Sequence, residues 1–180
     1  MLTIAAIAIG LLLDAILGDP RWMPHPVIGM GKTISWLEGV LRKRFPDTPN
    51  GLHNAGFVLA FVLPALTFIL SCLVLFLASL VNVWLAFALN CIMCYQVIAA
   101  CELRKQSMLV MRELTSKGLN AARKAVSYIV GRDTDALDEA GVIRATVETV
   151  AENSSDGVVA PLMFLMIGGG PLGLNYKSIN

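Results

Sequence analysis

Long apolar runs alternate with short polar stretches along the chain, and the runs set the element lengths. Residues 2–17 are apolar except for Asp14. The run is slightly short for a spanning helix, which needs about 20 residues, but with Gly18 it reaches a span over about residues 2–18. No Lys or Arg precedes Arg21, so the pattern is not that of a secretory leader. Residues 55–100 are almost uninterruptedly apolar. As one helix they would measure about 70 Å, more than twice the hydrocarbon thickness. They therefore predict two spans, about 56–78 and 83–101, joined by a tight turn near Ser79 to Asn82, with Pro64 free to kink the first. A last apolar segment, 158–167, runs into Gly168-Gly169-Gly170-Pro171. Its ten or so residues predict a re-entrant or interfacial segment, or half of a broken span, over about 158–173.

The polar stretches carry other signals. Pro20, Pro24 and Pro26 cannot continue a helix. They predict a stiff segment at the membrane edge, with Trp22 as an interfacial anchor and Asp19, Arg21 and His25 held on a rigid backbone. Ile34, Leu37 and Leu41 recur at helical spacing, so 27–41 reads as an amphipathic helix against the membrane or a partner helix, closed by Arg42, Lys43 and Arg44. Residues 46–54 read as a loop, and the lone His53 in it as structural. Leu103, Met108, Val110, Met111 and Leu114 predict another amphipathic helix, and a further one runs from Leu119 or Asn120 to Ile129 and stops at Gly131. Asp135 is placed to cap a helix running to about Glu152. Asn153, Ser154, Ser155, Asp156 and Gly157 then read as its end.

Composition settles the class. Of 180 residues, 56% are hydrophobic and 15% charged, against about 25% charged in soluble domains. Mean hydropathy is +0.69. The reading is an all-α, multi-pass integral membrane protein with cytoplasmic amphipathic helices, forming one membrane domain over 1–180. A net charge of +1 argues against a nucleic-acid partner. Lys and Arg crowd into 18–55 and 102–157 and are missing before residue 17 and at 79–82. By the positive-inside rule the N-terminus is outside and both polar regions are cytoplasmic. Cys72, Cys91, Cys94 and Cys101 all fall in the apolar hairpin and read as small packing residues. Asn90, Tyr95 and Gln96 there read as hydrogen-bonding groups between helices. The chain stops at Asn180 just after a Gly-rich turn, which reads as the end of an N-terminal fragment.

One cluster stands out chemically. Arg144, Glu148 and Glu152 share a helix face at a spacing of four, and Asp156 follows. Such acids are more often a solvated face, whereas for intramembrane Asp14 an interfacial place near the helix end and a functional role weigh about equally. Their density at the edge of an apolar segment makes Glu148, Glu152 and Asp156 candidates for chemistry. The negative pole of a helix ending there would favour a cation over bare phosphate. The glycines match neither the phosphate-loop nor the dinucleotide pattern.

LLDAILGDPRWMPHPVIGMGKTISWLE (12–38), VGRDTDALDEAGVIRATVETVAENSSDGVVAPLMF (130–164) and GGGPLGLNYKSIN (168–180) closely resemble the CobD/CbiB family of cobalamin biosynthesis, the adenosylcobinamide-phosphate (cobinamide) synthases. The resemblance implies ATP-dependent amide formation. A propionate carboxyl of (adenosyl)cobyric acid is joined to (R)-1-aminopropan-2-ol or its phosphate. It implies ATP and Mg²⁺ as cofactors, the inner (cell) membrane as location, and association with other cobalamin-biosynthesis proteins. On that basis Glu148, Glu152 and Asp156 are expected as metal ligands and catalytic groups. Asn153, Ser154 and Ser155 would orient oxygens, and Lys32, Arg132, Arg144 and Lys177 would neutralise phosphate or carboxylate. Asp19 or His25 would accept the ammonium proton. A corrinoid transporter component and a membrane scaffold for soluble enzymes remain the competing readings.

Overall fold

The computed structural model describes residues 1–20 and 23–180. Its described residues form helices and no strands. The apolar hairpin is α3 (Pro49–Val81) and α4 (Val83–Val97), with only Asn82 between them. The Asn82 side chain accepts from the Trp84 N–H at 2.7 Å and so caps α4 as it stops α3. Helix α3 begins earlier than expected. Thr48 Oγ1 accepts from the Gly51 N–H at 3.2 Å, and Pro49 opens the first turn, where its missing N–H costs nothing. The expected loop 46–54 is therefore helical from Pro49 onward. Phe57, Phe61, Ile69, Phe76 and Leu80 stay exposed on α3, as on a helix whose solvent is lipid.

The second span is interrupted. Helix α4 ends at Val97 and α5 (Ala100–Lys117) starts after a break at Ile98 and Ala99. Two distant groups satisfy the new helix start. Asp14 of α1 (Leu2–Leu17) accepts from the Cys101 N–H at 3.0 Å. The Ala99 N–H donates to the Gly157 carbonyl at 3.2 Å. Helix α1 packs on α4, and Ala6, Ile7, Cys91, Cys94, Val97, Leu165 and Leu174 make one core. Helices α5, α6 (Leu119–Val126) and α7 (Glu139–Ser154) build a second around Val110, Ala122, Val126 and Val142.

Helix α7 departs from expectation at both ends. It starts at Glu139, capped by Asp138, whose carboxylate accepts from the Gly141 N–H at 2.7 Å. Asp135 lies outside, in a turn tied to α6: Arg123 Nε donates to the Leu137 carbonyl at 2.7 Å, and Thr134 Oγ1 to the Arg123 carbonyl at 3.1 Å. Nor does the helix stop at Asn-Ser-Ser-Asp-Gly. It passes through a π-helical turn (Ser155–Val159) into α8 (Ala160–Ile179). Pro161 has no N–H for the Gly157 carbonyl four residues back. The Ala99 N–H takes its place, so the break in α4–α5 and the π-turn satisfy each other.

Helix α8 doubles back. Gly168 and Gly169 leave helical geometry, Gly169 with φ 63°. Phe164 and Tyr176 stack with ring centroids 4.8 Å apart, where a straight helix would separate them by about 18 Å. The arms 160–167 and 170–179 thus lie side by side. The return arm starts in the apolar interior, where a bare N–H is costly. Asn90 Oδ1 accepts from the Gly170 N–H at 2.9 Å, and Pro171 brings no donor. Asn175 Nδ2 donates to the Pro64 carbonyl at 2.8 Å. Tyr95 and Gln96 also bond across segments, to the carbonyls of Gly18 and Pro24. Three described stretches, Pro49–Val81, Val83–Lys117 and Glu139–Ile179, are long and apolar enough to cross a membrane by length and composition. The second contains the Ile98–Ala99 break, and the third is folded on itself at Gly168. The fold is that of a helical membrane protein.

Candidate functional site

The proline-rich segment after α1 is strapped to α4 by Tyr95 and Gln96. His25 ends it as the cap of α2 (Pro26–Arg44), its Nδ1 accepting from the Val27 N–H at 3.3 Å. Its Nε2 then faces Asp19 Oδ2 at 3.9 Å. Asp19 and His25 border a cavity of about 330 Å³ together with Asp14, Tyr95, Glu102 and Lys177. Apolar walls come from Met23, Val27, Ile28 and Ile98. Asp14 is only 4% exposed. The expectations for Arg21 and Trp22 fall outside the described residues.

Glu148, Glu152 and Asn153 of α7 and Asp156 of the π-turn border a second, polar cavity of about 460 Å³ with Arg132 and Asn180. A third, of about 270 Å³, joins the two. It shares Glu102 and Lys177 with the first, and Thr149, Asn153 and Asn180 with the second. The three make one groove from the proline-rich segment to the π-turn. The return arm of α8 delivers Lys177 and Asn180 to its middle. Asn180 Nδ2 lies 3.4 Å from the Asp156 carbonyl.

The candidate residues divide accordingly. Asp19, His25, Arg132, Glu148, Glu152, Asn153, Asp156 and Lys177 line the groove. Lys32 and Arg144 are exposed and line none of these cavities, and neither do Ser154 and Ser155. Arg132 is ion-paired with Glu148 across the turn that leads into α7. Among the described residues no three His, Cys, Asp or Glu side chains form a group able to hold a metal ion. Glu148, Glu152 and Asp156 share a cavity without making a cage. The dipole argument also fails, because the helix continues past Asp156 and has no negative pole there. Glu102 and Asn180 were not singled out by the sequence. Glu102 reads as an ordinary first-turn acid, and only the fold brings it opposite Lys177.

Six carboxylates (Asp14, Asp19, Glu102, Glu148, Glu152 and Asp156) line the groove beside two basic side chains, Arg132 and Lys177. Such a groove repels bare anions and accepts them only with a cation attached.

The model of the family described as CobD/Cbib protein matches residues 7–180. The chain belongs to the CobD/CbiB family. Among curated relatives, "Cobalamin biosynthesis protein CobD" of Clostridium tetani is 41% identical over 97% of this chain and 54% of its own length. The CobD protein of Listeria monocytogenes serotype 4b is 42% identical over 94% of this chain and 53% of its own. "Cobalamin biosynthesis protein CbiB" of Salmonella arizonae is 38% identical over 99% and 56%. The chain spans about half the length of the curated CobD/CbiB relatives it matches. No solved structure matches it.

Proposed function

We propose that the chain serves cobalamin biosynthesis as the groove-bearing part of an ATP-dependent amide-forming membrane enzyme. The observation that carries this reading is the single groove linking Asp19, His25 and Lys177 to Arg132, Glu152 and Asp156, in a member of the CobD/CbiB family. The reaction joins a propionate of (adenosyl)cobyric acid to aminopropanol or its phosphate. The carboxylate attacks the γ-phosphorus of ATP, giving an acyl phosphate and ADP. The amine nitrogen then attacks the acyl carbon, phosphate leaves, and one proton is lost from nitrogen.

The groove suits this sequence of charges. Mg²⁺ is commonly held by one or two carboxylates together with substrate phosphates rather than by an all-protein cage. With Glu148 held by Arg132, Glu152 and Asp156 are the two carboxylates left for a Mg²⁺ that arrives on the nucleotide. Lys177 stands midway, within reach of an acyl phosphate. Asp19 and His25 border the apolar-walled cavity, where a small amine bearing a methyl group fits and can lose its proton. Mass spectrometry tests the reading. The complete protein, given ATP, Mg²⁺, cobyric acid and each amine in turn, is expected to yield a corrinoid heavier by the amine less one water. ATP turnover should depend on the amine. Corrinoid returned unchanged would favour a transport role, for which the doubled-back α8 is the supporting feature.

The orientation follows from the basic residues, with the N-terminus outside and 18–55 and 102–157 in the cytoplasm of a cell membrane. In intact cells, Asp47→Cys and Ser116→Cys are expected to resist a membrane-impermeant thiol reagent and to react after permeabilisation. Labelling of either in intact cells would invert the topology.

A further inference from the structure

Helix α2 has two dissimilar long faces. Met30, Ile34, Leu37 and Leu41 are half-buried on the inner side. There Glu38, Leu41 and Arg42 border Leu52, Ala55, Gly56 and Leu59 of α3. Lys32, Trp36, Val40 and Lys43 recur at spacings of four, four and three, so they form one outward stripe. All four are exposed, Trp36 by 65% and Val40 by 42%, and Arg44, also exposed, flanks the stripe at the helix end. The sole carboxylate of α2, Glu38, pairs with Arg42 at 2.8 Å off this stripe. No residue of α2 is buried. The outward stripe therefore combines cations, an indole and a valine, without an acid.

Its depth follows from α3. Thirty-three residues make a helix of about 50 Å, roughly 20 Å more than the hydrocarbon layer. With the Asn82 turn in the far headgroup layer, the α3 turns around Leu52–Leu59 stand at or just outside the near headgroup layer. Those are the turns α2 packs on. Tryptophan favours that level, and Lys and Arg there meet lipid phosphates.

We propose that α2 docks on an anionic phospholipid surface through Lys32, Trp36, Lys43 and Arg44. This gives Lys32, which lies outside the groove, a role of its own. The test uses the complete protein in nanodiscs, with every tryptophan but Trp36 changed to phenylalanine. Brominated phosphatidylglycerol and brominated phosphatidylcholine are compared as quenchers at equal mole fraction. The expected result is about tenfold stronger contact with the anionic lipid, reduced towards parity by high salt or by K32Q/K43Q/R44Q. Equal quenching by the two lipids overturns the proposal. So does no quenching by either, which would mean that protein or water covers the stripe. The unsubstituted α2 already decides between these outcomes, so a misfolded triple variant would not blur the result.

Discussion

Replacing Gly170 with alanine is expected to lower the melting temperature of the protein in detergent by several degrees. A Cβ at this position would stand 2.6 Å from Met93 Cβ and 2.7 Å from Asn90 Oδ1. Neither neighbour can yield freely. Met93 Cβ is fixed to the α4 backbone, and Asn90 Oδ1 accepts the Gly170 N–H. Overpacking of this kind costs about 1–3 kcal/mol. Pushing Asn90 away would add a similar amount by leaving a buried N–H unpaired, about 1–3 kcal/mol. At 150–250 residues each kcal/mol shifts melting by about 2–4 °C. Gly56→Ala provides the opposite sign. Nothing stands within 4 Å of its Cβ position, and it lies inside α3. Alanine there gains about 0.8–1 kcal/mol of helix propensity. Thermal unfolding of the two variants beside the parent checks both. Equal melting of Gly170→Ala and the parent would show that α4 and the return arm do not approach this closely.

Glu152→Ala and Asp156→Ala are each expected to weaken Mg²⁺-dependent amide formation by about one to two orders of magnitude, with membrane insertion unchanged. Both carboxylates border the polar cavity, and neither forms an ion pair with a described residue. Removing one leaves a hard cation with a single protein oxygen, so the activity curve should shift to higher Mg²⁺. Glu148→Ala should behave differently. It releases Arg132, adding positive charge to the polar cavity while leaving in place Glu152 and Asp156, the two carboxylates proposed for Mg²⁺. The measurement is corrinoid amide formed against Mg²⁺ concentration for the three variants. Parental activity and Mg²⁺ dependence in both Glu152→Ala and Asp156→Ala would reduce these acids to a solvated face.

Local pattern is enough wherever a segment's environment is set by its own composition. Residues 55–100 are too long and too apolar for one span, so the α3–α4 hairpin and its turn at Asn82 follow from the sequence alone. The amphipathic helices α2, α5 and α6 follow in the same way, and with them the membrane class. The groove's two ends were also visible, as the rigid Asp19–His25 segment and the acids of α7. What the sequence does not contain are the distant partners of backbone groups. Val97-Ile98-Ala99-Ala100 has no glycine or proline to announce a break, yet α4 ends there because Asp14 and the Gly157 carbonyl bind the freed N–H groups. The stretch from Asn153 to Gly157 looks like a helix stop, yet the helix continues because Ala99 supplies the donor that Pro161 lacks. A glycine run cannot say whether the chain bends or reverses. Asn90, eighty residues away in sequence, makes reversal at Gly168–Gly169 affordable and so carries Lys177 back to the groove. Propensity acts over a few residues, whereas an unpaired polar group in an apolar interior is satisfied from anywhere in the chain, and that choice belongs to the tertiary structure.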